Sequence, residues 1–252
     1  MAASDGPRSV ERALDLLDAV AEGAGPVSAK ALARRVGCSL STVYHLLGTL
    51  TERGHVVRTA RGYALGHRVP HLHRAYGRQV RTAAAMREVL PAVRRATGAE
   101  AYFTVFRGGE ISVVDSTAPP GDGADPFVVA CERRAHATAH GKALLAAVPR
   151  AARTRYLDRH GLPRLTAHTI TVREEFEAEL ARVRRTGLAV SVGEADDALS
   201  CLAVPLSVPL DGADGAGAEA QALSVSLPTR DYRDRHPRVA EVLQRAAERF
   251  AG

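Results

Sequence analysis

The stretch CSLSTVYHLLGTLTERGHVVRTARGYALG, Cys38 to Gly66, opens with a polar helix start and closes in a short hairpin that carries Arg58 and Arg61. Ser39 is placed to cap a helix that runs to Arg53 and stops at Gly54. At about 100° per residue, Leu40, Val43, Leu47 and Leu50 fall on one side of it. Ser41, His45 and Thr49 lie opposite, flanked by Thr42 and Gly48. A helix face shaped only for solubility carries Glu and Lys. One that enters a major groove needs short side chains for close approach and hydrogen-bonding groups for base edges. The face here is short, polar and free of acids. Taken alone, the helix fits a plain amphipathic helix in a three-helix core equally well, so its neighbours decide.

Upstream, Ser9 is expected to cap VERALDLLDAVAE, with Val10, Ala13, Leu14, Leu17 and Val20 on one face, and GAGP ends that helix. Ser28 caps AKALARRV, whose Leu32 and Val36 point inward. Arg34 and Arg35 stand near its end, where the helix dipole favours cations, and Gly37 then turns the chain. Downstream, HVVRT and GYALG pair across a tip at Ala60 and Arg61. The order is helix, helix, turn, helix and a two-stranded wing. From Ser28 to Arg78 there are nine Lys or Arg residues against one acid, Glu52. From Gln79 onward 23 basic residues face 22 acidic ones, so the net charge of +6 belongs to one segment. Such a local excess of arginine invites phosphate contact.

The chain of 252 residues is 46% hydrophobic and 25% charged, which fits a soluble globular protein with one or two cores. Its apolar runs are far short of a membrane span and its first residues lack a basic-then-apolar leader, so a cytoplasmic location is expected. Cys38, Cys131 and Cys201 are too few and too scattered for a disulfide scaffold, and three reduced thiols are expected. From His67 to Thr97 the pattern is helical, interrupted at Pro70, Gly77 and Pro91 and closed by Gly98. It reads as a linker helix and then the first helix of a second domain. His67, His71 and His73 read as helix-surface histidines, because no carboxylate or thiol accompanies them.

The second domain mixes strands and helices. Strands AEAYFTVFR and EISVVDS are joined at Gly108 and Gly109, and a Pro/Gly-rich loop and the strand FVVA follow. Helices are expected at HGKALLAAV, at Arg150 to His160 and at Thr171 to Arg185, the last with a capping pattern from Thr171 to Glu174. Strands CLAVPLSVPL and ALSVSLP flank a low-complexity loop before a final helix that ends at Phe250. In ALSVSLP, Ser224 and Ser226 share a face opposite Leu223, Val225 and Leu227, and Cys201 and Ala203 share one in the preceding strand. Small residues there leave room for a ligand, or serve a tight helix–sheet contact. The helix start near Ala139 and His140 offers amide groups to an anion.

His136, His140, Cys201 and Ser224 include the residue types of a nucleophile–base pair. A nucleophile, however, needs a sharp turn or a helix start, and Cys201 and Ser224 sit inside strands. His136 and His140 have zinc-ligand spacing, but Ala137 stands where HExxH needs glutamate. No catalytic residue, metal or cofactor is assigned. The alternative, an enzyme or metal-dependent sensor fused to a DNA-binding module, would show itself by turnover or tightly held zinc.

In that order, SVERALDLLDAVAE, SLSTVYHLLGTLTERGHV, HATAHGKALLA, LPRLTAHTIT and LARVRRTGLAVSVGE with CLAVPL and ALSVSLP resemble the successive signatures of the IclR family of bacterial transcriptional regulators. The resemblance covers nearly the whole chain. It implies a two-domain protein: a winged helix-turn-helix at 4–66, a linker helix at 67–79, and an α+β, GAF-like effector-binding and oligomerisation domain at 80–252. The DNA-facing set is then Ser39, Ser41, Thr42, His45 and Thr49, with Arg58 and Arg61 at the wing. The resemblance places the effector at Ala139, His140, Cys201, Ser224 and Ser226. Ser191 stands where some members carry an acid, and His140 and His45 replace a smaller residue and an arginine. The expected partners are double-stranded DNA with a palindromic operator, a small organic anion, and further copies of the chain as a dimer or dimer of dimers, with no membrane.

Overall fold

In the computed structural model, residues 7–79, 83–118, 134–206 and 218–250 are described. The expected strand FVVA and Cys131 lie outside them. The chain divides after Gln79 into two compact units.

The first unit holds α1 (Arg8–Ala21), α2 (Ala29–Val36), α3 (Leu40–Glu52), the strands β1 (Val56–Thr59) and β2 (Gly62–Leu65), and α4 (Arg68–Gln79). The caps of α2 and α3 follow the sequence. Ser28 Oγ accepts from the Ala31 amide, and Ser39 Oγ accepts from the Thr42 amide at 3.2 Å. Gly37 ends α2 at φ +66°, a left-handed conformation that side-chain-bearing residues rarely adopt, and so makes the turn between the two helices. The wing pairs Val56 with Leu65 through Thr59 with Gly62, and Ala60 and Arg61 form its tip. Val27 adds a bridge to Tyr63, exchanging both backbone hydrogen bonds, so the wing is anchored to the segment before α2.

Two readings of this unit are corrected. α1 is capped by Pro7 without a side-chain bond, and Ser9 already lies inside the helix. Ala13, Leu17 and Val20 pack inward as expected, together with Leu16 and Ala19, whereas Val10 and Leu14 are 53% and 55% exposed. Leu14, Leu16 and Leu17 straddle two overlapping stripes. The core stripe takes in Ala13, Leu17 and Val20 of the expected face but is centred on Leu16, which leaves Val10 and Leu14 at its exposed edge. Likewise Leu40, the first residue of α3, projects beyond the core, and Leu46 takes its place beside Val43 and Leu47.

α4 continues through Pro70 and Gly77, and α5 (Ala83–Thr97) continues through Pro91, so none of the three ends a helix. Pro70 is the third residue of α4, where its missing N–H has no intrahelical acceptor to lose. Pro91 is held by the burial of Leu90 and Val93 on either side of it.

The second unit adds β3 (Glu100–Arg107), β4 (Glu110–Ser116), a short 3-10 turn at Ala135–Ala137, α6 (Ala139–Ala147), α7 (Arg150–His160) and α8 (Arg173–Thr186). It ends with β5 (Ala189–Val192), β6 (Leu199–Leu206), β7 (Ala220–Pro228) and α9 (Thr229–Glu248). Among the described residues, five antiparallel strands form one sheet in the order β4-β3-β7-β6-β5. α5 and α9 pack on one face, over Phe103, Leu202, Val204, Leu223 and Val225. α6 packs on the other, where Ala139 and Ala143 meet Ala203, Ala222 and Cys201. The short strand β5 went unread in the sequence. The expected cap at Thr171 is absent: Val172 is the N-cap, without a side-chain bond, and Thr171 Oγ1 instead accepts from Arg164.

Candidate functional site

Two regions carry the expected chemistry, one in each unit. On α3, Ser41, His45, Gly48 and Thr49 are exposed, and Thr42 is half-buried. The Ser39 hydroxyl lies 3.0 Å from that of Ser41 and 2.8 Å from that of Thr42, so it links the first turn of α3 while capping it. Arg58 and Arg61 are exposed on the wing. Thr59 Oγ1 donates to the Gly62 carbonyl at 3.0 Å and accepts from the Arg61 amide at 3.2 Å, which fixes the tip. Arg35 is engaged inside the unit by an ion pair with Glu22. Sequence reasoning passed over Tyr44, which is 50% exposed on the flank of the α3 face. Its place next to Val43 suggested no role.

In the second unit the sheet register gathers four of the six expected effector residues, Ser191, Cys201, Ser224 and Ser226, while Ala139 and His140 stand at the start of α6. Ser191 faces Cys201, and Cys201 faces Ser226, in one cross-strand row. In the adjoining row Ala203 faces Ser224, and Ser224 faces Tyr102. The spacing of ten between Ser191 and Cys201 is therefore the length of the β5–β6 hairpin. Ala139, His140, Ser191, Cys201 and Ser224 are buried and Ser226 is half-buried. Much of the small-residue face is taken up by close packing of α6. Cavities of about 170, 390 and 420 Å³ lie elsewhere in this unit, and none is lined by these six residues. The Ser224 hydroxyl, however, is buried with no hydrogen-bond partner. A native hydroxyl left so costs about 1–3 kcal/mol, which calls for a reason.

The start of α6 is more occupied than expected. Thr138 caps it, its Oγ1 accepting from the Gly141 amide at 3.2 Å and donating to the Ala135 carbonyl at 3.1 Å. A Cβ on Gly141 would lie 2.0 Å from the Ala135 carbonyl oxygen, so only glycine lets the 3-10 turn fold back on α6. His140 is not a cation here. Burial pushes its pKa down from 6.5 to about 4, and at neutral pH it can offer a single N–H. His136 is held low by the same cause, and its Nε2 donates to the Pro163 carbonyl at 2.9 Å.

Lys142, one of only two lysines in the chain, is buried two residues beyond His140. Its Nζ donates to Glu194 Oε1, to the Val190 carbonyl at 3.0 Å and to Glu179 Oε1 at 3.5 Å. The Arg182 guanidinium holds the Glu179 carboxyl below its ordinary range, while burial pushes Glu194 up. Ser191 Oγ donates to the Ala137 carbonyl at 2.6 Å, and Thr166 and Thr169 donate to the Gly193 and Glu194 carbonyls. These tethers join residues 135–142, 162–169 and 190–194 around the start of α6. Only the rarity of lysine in this chain, and its place in an apolar helix, could have signalled the network.

Residues 9–60 match the IclR helix-turn-helix domain, and residues 75–251 match the C-terminal domain of bacterial transcriptional regulator IclR. The HTH-type transcriptional regulator Rv1719 of Mycobacterium tuberculosis is 30% identical over 242 residues, 95% of this chain and 90% of that one. An IclR transcriptional regulator from Alicyclobacillus acidocaldarius superposes with a TM-score of 0.75 at 25% identity, covering 97% of this chain and 98% of that one. An IclR homolog of Microbacterium hydrocarbonoxydans, crystallised with 4-hydroxybenzoate, shares the fold at a TM-score of 0.73 and 22% identity over 95% of each chain. The relatives are regulators rather than enzymes. With a helix-turn-helix head and an α+β domain both matched, the chain belongs to the IclR family of bacterial transcriptional regulators.

Proposed function

We propose that this regulator reads its operator with Ser41, His45 and Thr49 in the major groove and grips phosphates with Arg58 and Arg61. Ser39 and Thr42 then act at the helix start, where the cap aims the first turn of α3 at the duplex. Operator affinity is modulated by a small organic acid bound in the second domain beside Ala139, His140, Ser191, Cys201, Ser224 and Ser226. The observation that carries the effector site is the buried, unpartnered Ser224 hydroxyl in a row with Tyr102 and Ala203. A carboxylate or phenol oxygen supplies the partner this hydroxyl lacks. The 4-hydroxybenzoate bound by the Microbacterium homolog makes aromatic hydroxy acids the first class to try. The neutral state of His140 favours hydrogen bonding over ion pairing, so the anion is bound by donors and not by a buried cation. The active species is a homodimer or dimer of dimers on a palindromic cytoplasmic target.

Calorimetric titration with small carboxylic acids, 4-hydroxybenzoate among them, tests the site. The wild type is compared with a Ser224→Ala, Ser226→Ala double variant. A ligand that binds the wild type and loses affinity in the variant supports the assignment. Equal binding to both places the pocket elsewhere, and binding of neutral or cationic compounds alone removes the acid.

A further inference from the structure

Leu40 and Tyr44 stand four residues apart on α3, 43% and 50% exposed, and neither belongs to the core of the head. Four residues along a helix return to the same side, so the two form one apolar strip over its first two turns. The strip borders the exposed positions Ser41, His45 and Gly48, with Thr49 on the opposite flank. Gly48 carries no side chain to hold a partner surface away from Tyr44. The head also exposes Val10 and Leu14 on α1 and Val57 and Leu65 on the wing, but none of these lies on α3, whose polar face Leu40 and Tyr44 border. What is particular to Leu40 and Tyr44 is their continuity with that face, inside a segment with nine basic residues and one acid. A polyanion is the partner such a segment fits, and the major groove of duplex DNA offers one apolar feature, the C5 methyl of thymine.

We infer that Leu40 and Tyr44 are specificity-determining residues that pack on thymine methyl groups, so that the half-site carries A·T pairs beside the bases met by Ser41 and His45. The inference rests on the DNA-reading role proposed above for α3 and adds a base preference to it. Polar residues alone would read hydrogen-bonding edges. The apolar strip reads a methyl that uracil lacks while presenting the same edges.

Selection of duplexes from a randomised pool by the full chain gives the preferred half-site, and each enriched thymine is then replaced by deoxyuridine. Wild type is expected to lose about fourfold in affinity per contacted methyl, the scale of one buried CH2 group. A Leu40→Ala, Tyr44→Ala variant is expected to bind both duplexes alike, with the wild-type salt slope and an unchanged melting profile. Indifference of the wild type to deoxyuridine overturns the inference, as does a variant that still discriminates. A variant that sediments as a smaller species while keeping the thymine preference assigns the strip to a contact between copies and overturns it too. If the wild type enriches no sequence and binds no duplex in a salt-dependent way, the DNA-reading role of α3 itself fails. That result is distinct from sequence-selective binding without methyl discrimination.

Discussion

At the scale of single residues, burial decides what the titratable groups can do. His140 is held neutral, with a pKa near 4 against an ordinary 6.5, so between those values the unfolded chain binds the extra proton. The stability that comes from keeping the ring neutral is complete above about pH 6.5, falls as the pH drops, and levels off below about 4. His136, lowered in the same direction, adds to this fall. Glu194, raised by burial, opposes it above its ordinary 4.5. Comparing wild type with His140→Gln separates the contribution: denaturant melts at pH 7 and pH 4.5 are expected to show a loss smaller in the variant by on the order of 2 to 3 kcal/mol. Equal losses would contradict the buried neutral ring. Lys142 is the opposite case, a buried charge kept by its partners. Lys142→Met leaves Glu194 buried without its cation and is expected to destabilise the fold by about 3–5 kcal/mol. Adding Glu194→Gln should recover part of that loss. A double variant no more stable than Lys142→Met would show that the pair is not coupled.

At the scale of elements, α3 and the wing act as one unit, because the hairpin follows the helix and is pinned to Val27 before α2. Arg58→Ala with Arg61→Ala is expected to weaken binding to all duplexes and to reduce the slope of log affinity against log salt by about 2, one for each phosphate left without its arginine. An unchanged slope in anisotropy titrations would remove the wing from the interface. These elements were legible because their signals are local: Ser28 and Ser39 before apolar-periodic runs, Gly37 between them, and two short strands with a two-residue tip. The face of α1 was legible in part: Ala13, Leu17 and Val20 pack inward, but Leu14, Leu16 and Leu17 fit two stripes and only tertiary packing buries Leu16 and exposes Leu14. β5 is only four residues long, too short for its alternation of Val190, Ser191 and Val192 to stand out. Ser224, Ser226, Cys201 and the helix start at Ala139 and His140 were marked by local pattern and Ser191 by family resemblance alone, but the assembly of the four strand residues depends on register, which spacing alone does not specify. The Lys142 network joins positions 37 and 52 residues apart, beyond any local signal.

At the scale of the whole molecule, one winged head reads only a short half-site, and specificity for a single operator requires two. A symmetric assembly then places two heads on an inverted repeat with half-site centres about 10–10.5 base pairs, or a multiple, apart. Sedimentation at micromolar concentration is expected to show a dimer or tetramer, and footprinting two symmetry-related half-sites. A monomer protecting one unpaired half-site would contradict this. An effector alters operator affinity only through differential affinity for two states of the protein, a coupling typically worth about 1–3 kcal/mol. The most direct measurement is therefore operator affinity with and without the carboxylic acid that calorimetry selects, in wild type and in the Ser224→Ala, Ser226→Ala variant. The expected result is a shift of about 5- to 150-fold in the wild type that disappears in the variant at the same ligand concentration. A ligand that binds yet leaves operator affinity unchanged, or shifts it equally in both proteins, would contradict a ligand-responsive regulator built on this site.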